Sequence, residues 1–193
     1  NRRLLAGEGS PLRQGEYVEN QAEWGAVRFG LSKRSNMAYS GCEILATYNA
    51  KLALGERMSV QDMAGLIARY ERKGAALNGA IGTSPREIAA YFEESGYQVR
   101  MTDSQDPDVV EETGRKSDTV IVTAYNNRND ITGEIHTISV TKDREGKYTL
   151  HNVYAYDRSR RCYAAKGRYS TLREAIGNMA SAPAVICIIG IRK

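Results

Sequence analysis

The feature that most constrains the fold is a change of hydrophobic period part-way along the chain. Up to about residue 96, apolar residues recur at helical spacing, as in "CEILATYNAKLAL" and "SVQDMAGLIARY". From "YQVRM" onward, alternating or β-branched runs follow, including "DTVIVTAY" and "APAVICIIGIRK". Helices followed by mostly antiparallel strands predict an α+β fold rather than a doubly wound parallel sheet.

Local signals predict where the individual elements begin and end. "SVQD" and "SPRE" each carry a serine followed three residues later by an acid, which is the capping-box pattern of a helix start. "EIHTISVTKD" and "KYTLHNVYAYD" flank the turn "REG" and predict a β-hairpin. Short helices are predicted over "PDVVEETGRK" and "TLREAIGNM", and a short strand over "WGAVRFG".

The length of 193 residues predicts one domain with a core of its own. Residues 1–22 are polar and weakly patterned, so we expect an extended N-terminal arm. Residues 23–193 then form the single domain. Its helical half covers about residues 36–100 and its sheet half about residues 118–193.

Composition and charge exclude several classes of function. The net charge is a modest +4, and the sequence has no zinc-ligand spacing, phosphate-binding glycine loop or RNA-binding aromatic signature. We therefore expect no nucleic-acid partner, metal or organic cofactor. No apolar run is long enough to span a membrane. The chain starts at Asn1 rather than Met, which leaves open that a leader, signal or anchor has been removed; compartment and oligomeric state stay open.

Three widely spaced cysteines, at 42, 162 and 187, do not form a disulfide framework. Cys187 lies in "AVICIIG", where a small apolar side chain fits a core strand, and Cys162 reads as a half-exposed strand residue. Cys42 instead follows a glycine at the start of a helix. The positive end of a helix lowers a thiol pKa, so Cys42 is the candidate nucleophile, with a buried packing residue as the alternative.

A thiol nucleophile needs a base and a group that orients it, and the hairpin supplies candidates. Folding the two strands about "REG" brings Asn152 close to His136, so that the amide oxygen of Asn152 could fix the tautomer of the imidazole. His151 is one residue away and should point to the opposite face. His136 is therefore the predicted base. Asp157, at the end of the strand, is a second candidate for the orienting group.

An oxyanion needs hydrogen-bond donors, which the main chain of Cys42 and an upstream amide can supply. Asn36 is the amide in the right place. A local loop-capping role is the alternative for this side chain.

The segments "NMAYSGCEILATYNA", "GTSPREIAAYFEESGY", "EIHTISV" and "YTLHNVYAYD", in this order, resemble the papain-like cysteine peptidases. They are most similar to the bacterial branch that includes bacteriocin leader-processing (double-glycine) peptidases. The resemblance implies a papain-like fold, in which a central helix beginning at the cysteine packs on the sheet. It also implies a Cys42–His136–Asn152 triad, an oxyanion hole with Asn36, and cleavage of a peptide or protein substrate through an acyl-enzyme.

Two positions depart from the family pattern. The oxyanion amide is usually glutamine, whereas Asn36 is one methylene shorter, and Glu43 stands where glycine or tryptophan is common. A carboxylate beside the thiol opposes thiolate formation. Two alternatives therefore stay open beside the peptidase: a catalytically weak or inactive peptide-binding module, and an acyl or amine transferase that uses the same triad.

Overall fold

The structure is a computed structural model and describes residues 1–30, 35–73, 83–126, 128–129, 135–154, 162–163, 167–180 and 183–193. The helical elements are α1 (Arg2–Ala6), the 3-10 turn η1 (Gln21–Trp24), α2 (Met37–Ser40), α3 (Cys42–Ala53), α4 (Val60–Lys73), α5 (Pro85–Glu94), α6 (Pro107–Arg115) and α7 (Leu172–Gly177). The strands are β1 (Gln98–Thr102), β2 (Thr119–Tyr125), β3 (Ile135–Lys142), β4 (Tyr148–His151), β5 (Val153–Tyr154), β6 (Cys162–Tyr163) and β7 (Ala184–Arg192).

The capping box predicted at the start of α4 forms, and at the start of α5 the predicted Ser84 N-cap forms. The Ser59 N–H donates to Asp62 Oδ2 at 2.8 Å, and the Asp62 N–H donates back to Ser59 Oγ at 3.2 Å. At the start of α5, Ser84 Oγ accepts the N–H of Arg86 at 3.3 Å. These bonds satisfy main-chain donors that the first turn of a helix leaves without partners, so the starts of α4 and α5 are set locally.

The strands build a five-stranded sheet in the order β1-β7-β2-β3-β4, in which every neighbouring pair is antiparallel. A second pair, β5-β6, lies apart from it. The predicted hairpin is present as β3-β4, and Gly146 in its turn has φ of 77°, a conformation that glycine adopts without strain. The α+β prediction is therefore confirmed.

Helices cover both faces of this sheet. Ile121 and Ile189 face one side and join α3, α4 and α5 in the larger core. Val122 and Ile138 face the other side and pack with α6 and α7. Because successive strand residues point to opposite faces, the nearly continuous apolar runs of β2 and β7 supply both cores.

Helix α3 is the central helix and packs on β3. Its ten residues from Cys42 to Lys51 are all buried, as is typical of a helix that is surrounded by protein. This agrees with the expected arrangement of a central helix that begins at the cysteine and packs on an antiparallel sheet.

The first 22 residues differ from the expected extended arm. Arg2–Ala6 form α1, which packs against α4, and Leu5, Leu12 and Val18 are buried in the larger core. The segment has little periodicity because single apolar anchors and side-chain hydrogen bonds hold it. We call residues 17–24 the N-terminal strap.

Two boundaries also differ from prediction. "WGAVRFG" is not a strand: η1 ends at Trp24, and an isolated bridge joins Arg28 to Asn36. β1 lies within the expected helical half but belongs to the sheet, because it pairs with β7. The alternation in "YQVRM" predicted this strand, and β1 confirms it; the expected limit of the helical half at about residue 100 overlaps the first residues of β1.

Asn49 should be a principal anchor of the strap. Its buried side chain accepts the Val18 N–H at 2.8 Å and donates to the Val18 carbonyl at 2.9 Å. Asn49→Ala leaves both groups unsatisfied, so the free energy of unfolding from urea denaturation should fall by about 1–3 kcal/mol. The exposed Asn178→Ala is the control, with an expected change within about 0.5 kcal/mol. Equal effects of the two variants would contradict the assigned anchor.

Candidate active site

The position of Cys42 is set by the glycine that precedes it. A Cβ on Gly41 would lie 2.6 Å from the carbonyl oxygen and 2.7 Å from the sulfur of Met37, so only glycine fits between α2 and α3. The chain therefore passes directly from α2 into α3. Cys42 is the first residue of α3, as the sequence predicts.

The thiol of Cys42 is buried and donates a hydrogen bond to Glu43 Oε2 at 3.1 Å. Burial raises its pKa well above the ordinary value, and the Glu43 carboxylate raises it further. Donors on the main chain and side chain of Thr137 act in the opposite direction, with smaller effect. The expectation of a lowered pKa is therefore wrong for this state, because desolvation and a like charge outweigh the helix end.

Glu43 is itself buried, and burial raises its pKa to about 7. Its own main-chain N–H, the Cys42 thiol and the N–H of Thr83 hydrogen-bond to the carboxylate and limit that rise. Cys42 and Glu43 thus form a coupled pair, in which one negative charge is accommodated near neutral pH and a second is strongly disfavoured.

His136 lies on β3 and is buried. Its Nε2 is 2.6 Å from the main-chain carbonyl oxygen of Asn152. Since a carbonyl oxygen only accepts hydrogen bonds, Nε2 carries the proton, and Nδ1 holds the lone pair of the neutral ring. Burial lowers the pKa of His136 to about 4, against the opposing effect of this hydrogen bond. The ring is therefore neutral at pH 7.

Asn152 contacts His136, but through its main chain and not through the side chain that the sequence argument used. Its side-chain oxygen accepts the Gln21 N–H at 2.9 Å, and its Nδ2 donates to Gln21 Oε1 at 3.1 Å. Its φ is 60°, in the left-handed region. Asp157, the other candidate for the orienting group, lies outside the described residues.

Asn36 is the N-cap of α2, and its side-chain oxygen accepts the Tyr39 N–H at 3.0 Å. Asn36 therefore has the local capping role that the sequence analysis gave as the alternative. An oxyanion would be bound by the amide nitrogen, Nδ2, so the oxyanion role stays a prediction.

The structure gives the Cys42 sulfur a neighbour that was not predicted. Cys42 lies beside Thr137, the residue that follows His136. Successive residues of a strand point to opposite faces. His136 pairs in register with Ala124, which belongs to the core on the α6–α7 side. Alternation along β3 thus directs Thr137 toward the thiol and the His136 side chain toward the opposite face of the sheet, where it contacts the Asn152 carbonyl.

His151, the second histidine, has hydrogen-bond partners at both ring nitrogens. Its Nδ1 is 2.6 Å from Glu19 Oε1 and its Nε2 is 2.8 Å from Thr141 Oγ1. Tyr17 packs on the ring, with centroids 4.2 Å apart. The ring is buried and attaches the N-terminal strap to β4.

Gln21 and Glu19 are the residues near the site that the sequence did not indicate. They lie more than 130 positions before their partners, in a segment without hydrophobic period. No local signal could have found them.

Within the ranges that the structure describes, no three His, Cys, Asp or Glu side chains group in a way that could hold a metal ion. In the same ranges, no helix combines the length and apolar character required to cross a membrane.

No family model matches the chain, and no curated protein is significantly similar to it in sequence. Among solved structures, similarity is found to the crystal structure of the peptidase domain of Streptococcus ComA, a bi-functional ABC transporter involved in a quorum-sensing pathway. The TM-score is 0.44 and the identity 13%, over 86% of this chain and 96% of that chain. A similarity of this size does not establish a common function.

Glu43→Gln should make Cys42 more reactive. The variant keeps the shape of the side chain and removes the charge that raises the thiol pKa. At pH 8, where Glu43 is ionised, we expect a several-fold rise in the rate of Cys42 alkylation by iodoacetamide, followed by peptide mass spectrometry. Cys187 is the internal reference, and Glu87→Gln, in the first turn of α5, is the matched control. An unchanged rate in Glu43→Gln would contradict the electrostatic assignment.

The same substitution should change the pH dependence of stability. Glu43 stays protonated up to about pH 7 in the folded protein but loses its proton near pH 4.5 when unfolded, so rising pH in this window lowers the free energy of unfolding. His136, with a pKa lowered from 6.5 to about 4, acts in the opposite direction.

Glu43→Gln removes the contribution of Glu43, which lowers the free energy of unfolding as the pH rises, and leaves that of His136 in place. Its free energy of unfolding relative to wild type should therefore increase between pH 5 and 7, on the order of 1 kcal/mol per pH unit. Urea denaturation at several pH values measures this difference, and parallel profiles would contradict the prediction.

Proposed function

We propose that the protein is a cysteine-type hydrolase that cleaves a peptide or amide bond through an acyl-enzyme. Cys42 Sγ attacks the carbonyl carbon while His136 Nδ1 takes the thiol proton. The protonated imidazole then gives this proton to the leaving amine. Water, activated by the same nitrogen, attacks the thioester and releases the acid and the free thiol.

The observation that carries this proposal is the tautomer of His136. Its Nε2 proton is used by the Asn152 carbonyl, which leaves the lone pair on Nδ1, and its lowered pKa keeps the ring neutral and able to accept a proton. His136 is adjacent in sequence to Thr137, which hydrogen-bonds to the Cys42 sulfur. The proposal also agrees with the order of motifs that resemble papain-like peptidases.

Further roles follow from the proposal. The Cys42 main-chain N–H and Asn36 Nδ2 would hold the oxyanion, and Asn152 would orient His136. The substrate would be a peptide or protein, and the reaction needs no metal or organic cofactor.

Glu43 determines the condition under which this chemistry runs. In the state described, the thiol proton is held by the carboxylate and the sulfur is buried. Attack therefore requires the S–H to leave Glu43 and the His136 imidazole to approach the sulfur, which Thr137 faces in the state described. Because a thiolate beside an ionised Glu43 is disfavoured, proton transfer to His136 should accompany attack rather than precede it.

Cys42→Ala is the direct test. Incubation with a mixture of defined peptides, analysed by mass spectrometry, should give cleavage products with wild type and at least about a thousandfold less with the variant. Acid quenching of wild type should trap an acyl adduct on Cys42. Cys187→Ala is the matched control and should keep the activity. Equal cleavage by Cys42→Ala and wild type would overturn the proposal.

A second candidate is a peptide-binding module that does not cleave. The geometry that favours it is the thiol bonded to Glu43, with Thr137 rather than His136 facing the sulfur. Such a module should bind peptides equally well as wild type and as Cys42→Ala, by titration calorimetry, and give no adduct. Cleavage by wild type would exclude it.

A further inference from the structure

A buried amide pair joins the N-terminal strap to the end of β4. Gln21 and Asn152 are each 1% exposed and 131 positions apart. The main-chain N–H of Gln21 donates to Asn152 Oδ1 at 2.9 Å, and Asn152 Nδ2 donates to Gln21 Oε1 at 3.1 Å. Gln21 Nε2 also donates to the Ala38 carbonyl of α2 at 3.1 Å. The pair therefore connects α2, which leads into the Cys42 helix, to the main chain beside His136.

Asn152 needs such an anchor because of its main-chain conformation. It is the one described non-glycine residue with positive φ, at 60°. This region is uncommon for residues other than glycine, although asparagine adopts it more readily than most, and contacts around the residue select it here. Its N–H donates to Glu19 Oε2 at 3.1 Å, so the strap holds the residue at its main chain and at its side chain.

The consequence of this conformation is the direction of the Asn152 carbonyl. That carbonyl accepts the proton of His136 Nε2 at 2.6 Å. The side chain of Asn152, which bonds to Gln21, makes no part of this contact. The bond that selects the tautomer of His136 thus depends on how the main chain of Asn152 is turned.

We propose that Gln21 is a positioning residue: by locking the side chain of Asn152, it turns the Asn152 carbonyl toward His136 and thereby fixes Nδ1 as the nitrogen that accepts a proton. This inference rests on the proposed function for its catalytic consequence, but its structural content is independent of activity. In this inference the N-terminal strap is part of the site, and Asn152 orients His136 through its main-chain carbonyl rather than through its side chain.

The test is ¹⁵N NMR of the imidazoles in histidine-labelled protein. The chain has only two histidines, so His151 is an internal reference for His136. Wild type should show His136 as the Nε2–H tautomer. Gln21→Met keeps the volume and removes the side-chain bonds of Gln21 to Asn152 Nδ2 and to the Ala38 carbonyl, leaving only its main-chain N–H bond to Asn152 Oδ1. It should give a mixture of tautomers for His136 with His151 unchanged. Gln105→Met, at an exposed glutamine that also donates to a main-chain carbonyl, is the matched control.

Asn152→Gly provides the second measurement, since glycine tolerates positive φ and removes the pair from the other side. It should reproduce the tautomer mixture of Gln21→Met, and the double variant should be no worse than Asn152→Gly alone, because both act through one contact. An unchanged His136 tautomer in Gln21→Met, or additive effects in the double variant, would overturn the proposal.

Activity separates this inference from the proposed function. If wild type cleaves peptides, Gln21→Met should lower kcat about 10- to 100-fold with KM within about twofold, because the base is misplaced while the substrate still binds. An unchanged kcat would overturn the positioning role. If wild type shows no cleavage, the proposed function fails, while the NMR comparison still decides the role of Gln21.

Discussion

The contact on which the candidate site depends is the hydrogen bond from His136 Nε2 to the main-chain carbonyl of Asn152. It is made in a buried setting, where the imidazole is neutral and its two nitrogens have different roles. The carbonyl has the required direction because Asn152 adopts a left-handed conformation, and the N-terminal strap holds it there. Residues 131 positions apart in the chain therefore determine one proton position.

Electrostatics at Cys42 show how a site can combine opposing influences. The start of α3 offers main-chain donors that favour a negative charge, and Thr137 adds to them. Desolvation and Glu43 favour the neutral thiol and outweigh these donors. The thiol is therefore protonated in the state described. The reaction that we propose suits this condition, because it moves the proton during attack and never requires a free thiolate.

The sequence was a good guide wherever structure is decided by neighbours along the chain. The helix starts at Ser59 and Ser84 follow from capping within one turn, and the β3-β4 hairpin follows from a tight turn between two strands. The proximity of Asn152 to His136 follows from that hairpin too. The atom that makes the contact does not, since it depends on a main-chain rotation that the strap imposes from 131 residues away.

The sequence by itself determined the α+β order of elements, the helix that begins at Cys42 and the β3-β4 hairpin. These follow from hydrophobic period, capping and strand alternation, which are local. Tertiary structure alone decided that residues 1–22 enter the core, that Glu43 holds the Cys42 thiol and that the Asn152 carbonyl contacts His136. Each of these depends on burial or on a hydrogen bond in a packed interior, where removal of water sets protonation and where partners distant in sequence become neighbours.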